Sequence, residues 1–153
     1  MKYINLKKKL ILGTAQFGKP YGFNNLGKKI PNTTIENIIK LAHKNSITHI
    51  DTATSYNFNK SFLKQRRWKV DTKIIITKNK TENNNAIKKL NTFINKKNIE
   101  LDTVYFHNPE CLFYEYGKKI YKYLEFLKKK KFFTKNWNIC LRARDYKKNF
   151  KYL

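Results

Sequence analysis

The chain has 153 residues, which allows one ordinary domain burying about two thirds of its unfolded surface but not a complete eight-unit (β/α) barrel of about 250 residues. With 41% hydrophobic and 15% aromatic residues, the composition excludes a disordered polymer. A formal net charge of +24 points first toward polyanions such as nucleic acid or an anionic membrane surface.

Short apolar runs alternate with helical patterns, which predicts βα units around a parallel sheet. The first strand is Leu10–Gly13, and the loop after it holds the turn formers Gly18, Pro20, Gly22 and Gly27. Thr33-x-x-Glu36 reads as a capping box opening a helix, with Ile35, Ile38, Ile39 and Ala42 at helical spacing. The second strand is Thr48–Asp51, and a poorly patterned helix falls within Lys60–Trp68. Lys73–Thr77 is the third strand; a helix near Asn84–Asn95 follows, with Ala86, Leu90, Phe93 and Ile94 on one face. Asp102–Phe106 is the fourth strand, and a helix from about Gly117 to Lys130 turns Ile120, Leu124 and Leu127 inward. A weak fifth strand at Trp137–Leu141 and a last helix from Asp145 end the pattern. No linker divides the chain, so the expected fold is α/β: a single domain over 1–153 built as a partial (β/α) TIM-type barrel of four to five units.

The positive charge is carried almost wholly by lysine, since only four of the 34 basic residues are arginine (Arg66, Arg67, Arg142 and Arg144). Joint enrichment in Lys, Asn and Ile is what AT-rich coding produces, and the lysines are scattered rather than gathered into an arm. The densest run, Lys128 to Lys131, closes a predicted helix, where cations suit the dipole. Compositional drift therefore explains the charge better than a selected site, and nonspecific contact with polyanions follows from it. Cys111 and Cys140 have neither CxxC nor zinc spacing, so reduced thiols and no metal are expected. Lys7 to Lys9 are followed by only a short apolar run before Gly13, unlike a signal peptide, and no stretch reaches the roughly 20 apolar residues of a membrane span. A cytoplasmic protein with no membrane partner is the expectation.

Three ionisable residues stand at or just beyond predicted strand ends: Asp51, Lys78 and His107. The strand C-termini of a parallel barrel share one face, where active sites lie, so these groups converge on one mouth. Tyr56, on the loop after Asp51, folds back over it. Singly, each has a plainer account: Asp51 as a helix cap, Tyr56 as one of ten tyrosines packing, Lys78 as one lysine among many, His107 capping a strand. Order and placement favour them as a set. His43 and His49 lack such a context and read as a helix-surface residue and a strand residue.

The same residues carry a family resemblance. Leu12-Gly13-Thr14-Ala15-Gln16-Phe17-Gly18 with Tyr21-Gly22 resembles the first strand and loop of bacterial aldo/keto reductases. Ile50-Asp51-Thr52-Ala53-Thr54-Ser55-Tyr56 resembles the family's Asp-Thr-Ala-x-x-Tyr motif; Ile76-Thr77-Lys78 and Phe106-His107-Asn108-Pro109 resemble its third and fourth strand ends. The likeness runs from about Leu10 to Leu127, leaving 128–153 as a degraded fifth unit. It implies reduction of a small-molecule aldehyde or ketone with NADPH, with Tyr56 as general acid, Lys78 lowering its pKa, Asp51 paired with Lys78, and His107 orienting the carbonyl. Gly13, Thr14 and Asp51 would meet the nicotinamide end of the cofactor.

The chain also departs from the pattern. After Tyr56 it reads Asn57-Phe58-Asn59-Lys60 where the family has Gly and then Glu, and Trp137–Tyr146 lacks the fifth strand's Gly-x-Ser segment. The later strands that hold the adenosine phosphates are not in this sequence. Three readings follow: a reductase whose barrel a second chain completes, a truncated inactive remnant of one, and a basic polyanion-binding module, the last without any nucleic-acid motif.

Overall fold

A computed structural model of the chain describes residues 10–18, 20–21, 28–56, 63, 66–95, 99–129 and 138–140. Five strands form one parallel sheet in the order β1-β2-β3-β4-β5: Leu12–Gly13, His49–Asp51, Trp68–Ile74, Ile99–Phe106 and Asn138–Cys140. The described helices are α1 (Asn32–Lys44), α2 (Lys80–Ile94) and α3 (Glu115–Lys129), with a 3₁₀ turn at Pro109–Phe113.

Strand order decides the class. Right-handed crossovers between successive neighbours put every helix on one face, whereas a doubly wound sheet reverses its order at a switch point. An order that never reverses is the winding of a (β/α) barrel, here a partial one.

The two faces of the sheet divide by chemistry. In β3, Trp68, Val70 and Ile74 lie with Ile50, Val104 and Phe106 in two hydrophobic clusters covered by Ile35, Ile39, Ala42, Leu90, Phe93 and Leu124 of the helices. The alternate residues Lys69, Asp71 and Lys73 face the other way, where Lys69 and Lys73 make ion pairs with Asp102 and Asp51 and Asp71 lies against His49. The face turned from the helices is therefore ionic rather than apolar. A register shift between Val70 and Asp71 leaves Asp102 as the extra residue of β4.

Several boundaries differ from the pattern reading. The α1 N-cap is Pro31, with no side-chain cap; Thr33 lies inside the helix, and Glu36 reaches forward to Lys40 at 3.0 Å instead of back. The helix ends on Ser46 at φ 62°, with the Ser46 and Ile47 N–H groups donating to the His43 and Ala42 carbonyls in a Schellman closure. Of the helix expected within Lys60–Trp68, Leu63 is buried and Trp68 instead opens β3; the remaining positions to Gln65 lie outside the described residues. β3 begins and ends earlier than Lys73–Thr77 because its period-two burial starts at Trp68. Helix α2 begins at Lys80, ahead of Asn84, because the Asn79 side chain accepts the Thr81 and Glu82 N–H groups at 2.9 and 3.2 Å. The fifth strand forms, parallel to β4, while the last helix from Asp145 lies outside the described residues. Among the described residues no helix is long and apolar enough to cross a membrane.

Candidate active site

Asp51 is the last residue of β2. Its carbonyl accepts the Thr14 N–H and the Thr14 hydroxyl, each at 3.0 Å, which ties the end of β1 to the end of β2. The chain then continues alongside β3: the Thr52 N–H donates to the Asp71 carbonyl, and the Thr54 N–H and hydroxyl both donate to the Lys73 carbonyl. The Tyr56 N–H closes a turn onto the Ala53 carbonyl at 3.1 Å. The half-buried Tyr56 ring packs against the cluster containing Phe17, Ile50 and Leu63.

The loop after β3 is pinned from two sides. Asn83, buried at the start of α2, accepts the Thr77 N–H and donates to the Thr77 carbonyl, both at 2.8 Å. Asn108 does the same for Ile76, accepting its N–H at 3.2 Å and donating to its carbonyl. His107 precedes Asn108 and is itself held by its N–H on the Ile74 carbonyl at 2.9 Å. The exposed Lys78 and His107 are thus brought to the same end of the sheet as Asp51 by backbone-directed amides.

The ion pair differs from the one the resemblance implied. Asp51 is bonded by the Lys73 ammonium, not by Lys78. Register explains this: Asp51 stands opposite Asp71, and Lys73 is the next residue on the same face of β3. Lys78 lies beyond the strand, and its Nζ stands 5.8 Å from the Tyr114 ring centroid. Among the described residues no hydrogen bond or ion pair joins Tyr56, Lys78 and His107 to one another. The roles of Lys73, Asn83 and Asn108 have no signal in the sequence. Lys73 reads as the start of a strand and Asn108 only as part of the His107-Asn108-Pro109 strand end, and clamping asparagines are hard to single out in so Asn-rich a chain.

The positions expected to meet a cofactor behave differently from one another. A Cβ on Gly13 would meet nothing within 4 Å, so this strand end offers open ground for a flat ring. Thr14 is 1% exposed and its hydroxyl is committed to the Asp51 carbonyl, so it serves the framework. The side chain of Asp51 is partly open beside Gly13. Gly13 and the Asp51 side chain therefore leave this strand end open, while Thr14 does not.

The two other histidines also have definite surroundings. His43 sits edge-on to Trp68, with ring centroids 5.1 Å apart, and its Nδ1 is 3.3 Å from Arg66 Nη1, so it is more engaged than a free surface residue. His49 lies in β2 as expected, against Asp71.

Comparison with known proteins agrees with this architecture. The profile of the aldo/keto reductase family matches residues 9–131. No curated protein matches the chain. A crystal structure from Pseudomonas aeruginosa, provisionally described as an aldo-keto reductase, superposes with a TM-score of 0.55 at 19% identity, covering 85% of this chain and 53% of that one. The chain thus spans about half the length of that structure, and the likeness is one of fold. With a family match across most of its length and a sheet of the same winding, this chain belongs to the aldo/keto reductase family.

Proposed function

We propose that the chain carries the proton-transfer side of an NADPH-dependent reduction of an aldehyde or ketone. Family membership supports the oxidoreductase class. The observation that carries the finer reading is the placement of Asp51, Lys78 and His107 at one end of a singly wound sheet, with Tyr56 on the adjoining loop.

NADPH, when bound, supplies a hydride to the carbonyl carbon and leaves as NADP⁺. Tyr56 Oη gives its proton to the carbonyl oxygen, so that an alcohol forms and a phenolate remains to be reprotonated from solvent. A free tyrosine holds its proton up to about pH 10 and is a poor acid at neutral pH. An adjacent ammonium favours the phenolate and improves it. Lys73 is neutralised by Asp51, which leaves Lys78 as the cation for this task. Lys78 reaches Tyr56 by leaving the face of Tyr114, a contact worth about 0.5–1 kcal/mol at an exposed site. His107, exposed at the neighbouring strand end, donates to the same carbonyl oxygen and orients it. The remainder of the cofactor site, including the phosphate cradle, belongs to the rest of the barrel, provided by more polypeptide or by a second chain.

The test is NADPH fluorescence titration coupled to light scattering, on the chain alone and with candidate partners, followed by Tyr56→Phe. A shift in NADPH emission and a loss of carbonyl reduction of about 10²- to 10⁴-fold in Y56F are expected. No NADPH signal under any of these conditions, or Y56F activity equal to the parent, overturns the reading.

A further inference from the structure

The ionic face of the sheet holds a second constellation, independent of the reductase reading. His49 of β2, Asp71 of β3 and Asp102 of β4 bring one ligand atom each to within 4.8 Å of one another. Asp71 is only 6% exposed. Its Oδ1 lies 3.1 Å from His49 Nε2, and both atoms are buried without any hydrogen-bond partner. With the ring proton on Nδ1, a nitrogen lone pair and a carboxylate lone pair face each other in a buried place. Such a contact needs a positive centre between the two atoms.

The geometry suits an ion. Zinc binds histidine nitrogen and carboxylate oxygen at roughly 2.0–2.2 Å, which sets tetrahedral ligand atoms about 3.3–3.6 Å apart. The His49–Asp71 separation of 3.1 Å is close to that edge. Asp102 Oδ2 stands 4.0 Å from His49 Nε2, and the three ligand atoms lie within 4.8 Å of one another, so an inward side-chain movement of roughly 1–1.5 Å completes the third ligand. Lys69 holds the other oxygen of Asp102 at 2.6 Å, turning Oδ2 toward the histidine, and its partly exposed side chain is able to swing aside. Two carboxylates and one ammonium leave a single negative charge beside a neutral imidazole, which favours a divalent cation. No Cys/His spacing announces such a site, because its ligands come from three neighbouring strands far apart in sequence.

We propose that His49, Asp71 and Asp102 bind a divalent transition-metal ion of the zinc class, through His49 Nε2 and one oxygen of each carboxylate, with the remaining position open to solvent. The ion would clip β2, β3 and β4 together on the face away from the helices.

Cobalt(II), a spectroscopic stand-in for zinc, is titrated into the whole chain at neutral pH, with zinc then added in competition. Expected are a saturable visible band at one ion per chain, its displacement by zinc, and binding at least roughly tenfold weaker in both Asp71→Asn and His49→Gln. Where D71N does not fold, Asp102→Asn, at a more open position, supplies the same comparison. Absence of binding, or binding unchanged in these variants, overturns the proposal. So does a melting temperature that rises on acidification through the imidazole range in the parent but not in H49Q, without response to metal; that result assigns the gap to a proton on His49.

Discussion

Gly117→Ala offers a sharp test of the packing beneath the His107 end of the sheet. Gly117 is buried in the first turn of α3, and a Cβ there would stand 2.0 Å from the Cys111 carbonyl oxygen, 2.5 Å from its carbon and 3.0 Å from the Leu112 nitrogen. All three are backbone atoms of the 3₁₀ turn that follows Asn108, so no side-chain rotation relieves the contact. Separating Cβ and oxygen to an ordinary distance of about 3.3 Å moves helix and turn apart by more than about 1 Å. Overpacking of this kind costs about 1–3 kcal/mol, and the clash with main chain places G117A toward the upper end. Alanine recovers up to about 1 kcal/mol of helix propensity, less at a helix start, so a net loss near 2 kcal/mol is expected. Urea denaturation followed by circular dichroism reads this as a midpoint lower by about 1 M at unchanged slope. Gly13→Ala is the matched control: nothing lies within 4 Å of its Cβ, so the midpoint holds within about 0.5 kcal/mol while NADPH binding weakens. A G117A chain as stable as the parent would refute the close approach of α3 to the turn.

Three further outcomes follow from particular contacts. Ser46→Gly raises stability by about 0.5–1 kcal/mol, because Ser46 closes α1 at a left-handed φ of 62°, seen as a higher thermal midpoint. Asn108→Ala leaves the fully buried Ile76 N–H and carbonyl without that partner, costs about 1–3 kcal/mol, and accelerates amide exchange at Ile76 before it does so in α3. Burial, aided by Glu110, pushes the Cys111 thiol up to about 11 from an ordinary value of 9.0. Between those values the unfolded chain binds fewer protons than the folded one, so stability falls as pH rises through the window. Urea midpoints at pH 9 and 11 should fall less in Cys111→Ala than in the parent.

Local signals made much of the fold legible. The spacing of Ile35, Ile39 and Ala42, and of Leu90 and Phe93, marks helix faces that do pack on the sheet, because a helical stripe is a property of consecutive residues. The apolar runs ending at Asp51 and Phe106 mark strands for the same reason, and the strand-end residues carried the family likeness that the match over 9–131 bears out. Boundaries were harder to read: Pro31 and Asn79 cap α1 and α2 through backbone geometry and hydrogen bonds that compete with equally plausible Thr33 and Asn84 starts.

What the sequence by itself determined is the order of βα units, the ends at which Asp51, Lys78 and His107 emerge, and the ancestry these imply. Only the tertiary structure decided which groups meet. Whether Asp51 finds Lys73 or Lys78 depends on the β2–β3 register, and the gathering of His49, Asp71 and Asp102 depends on three strands adjoining and on a bulge at Asp102. Register and bulges are settled between strands through hydrogen bonds and packing, and residues distant along the chain leave no periodic trace of them.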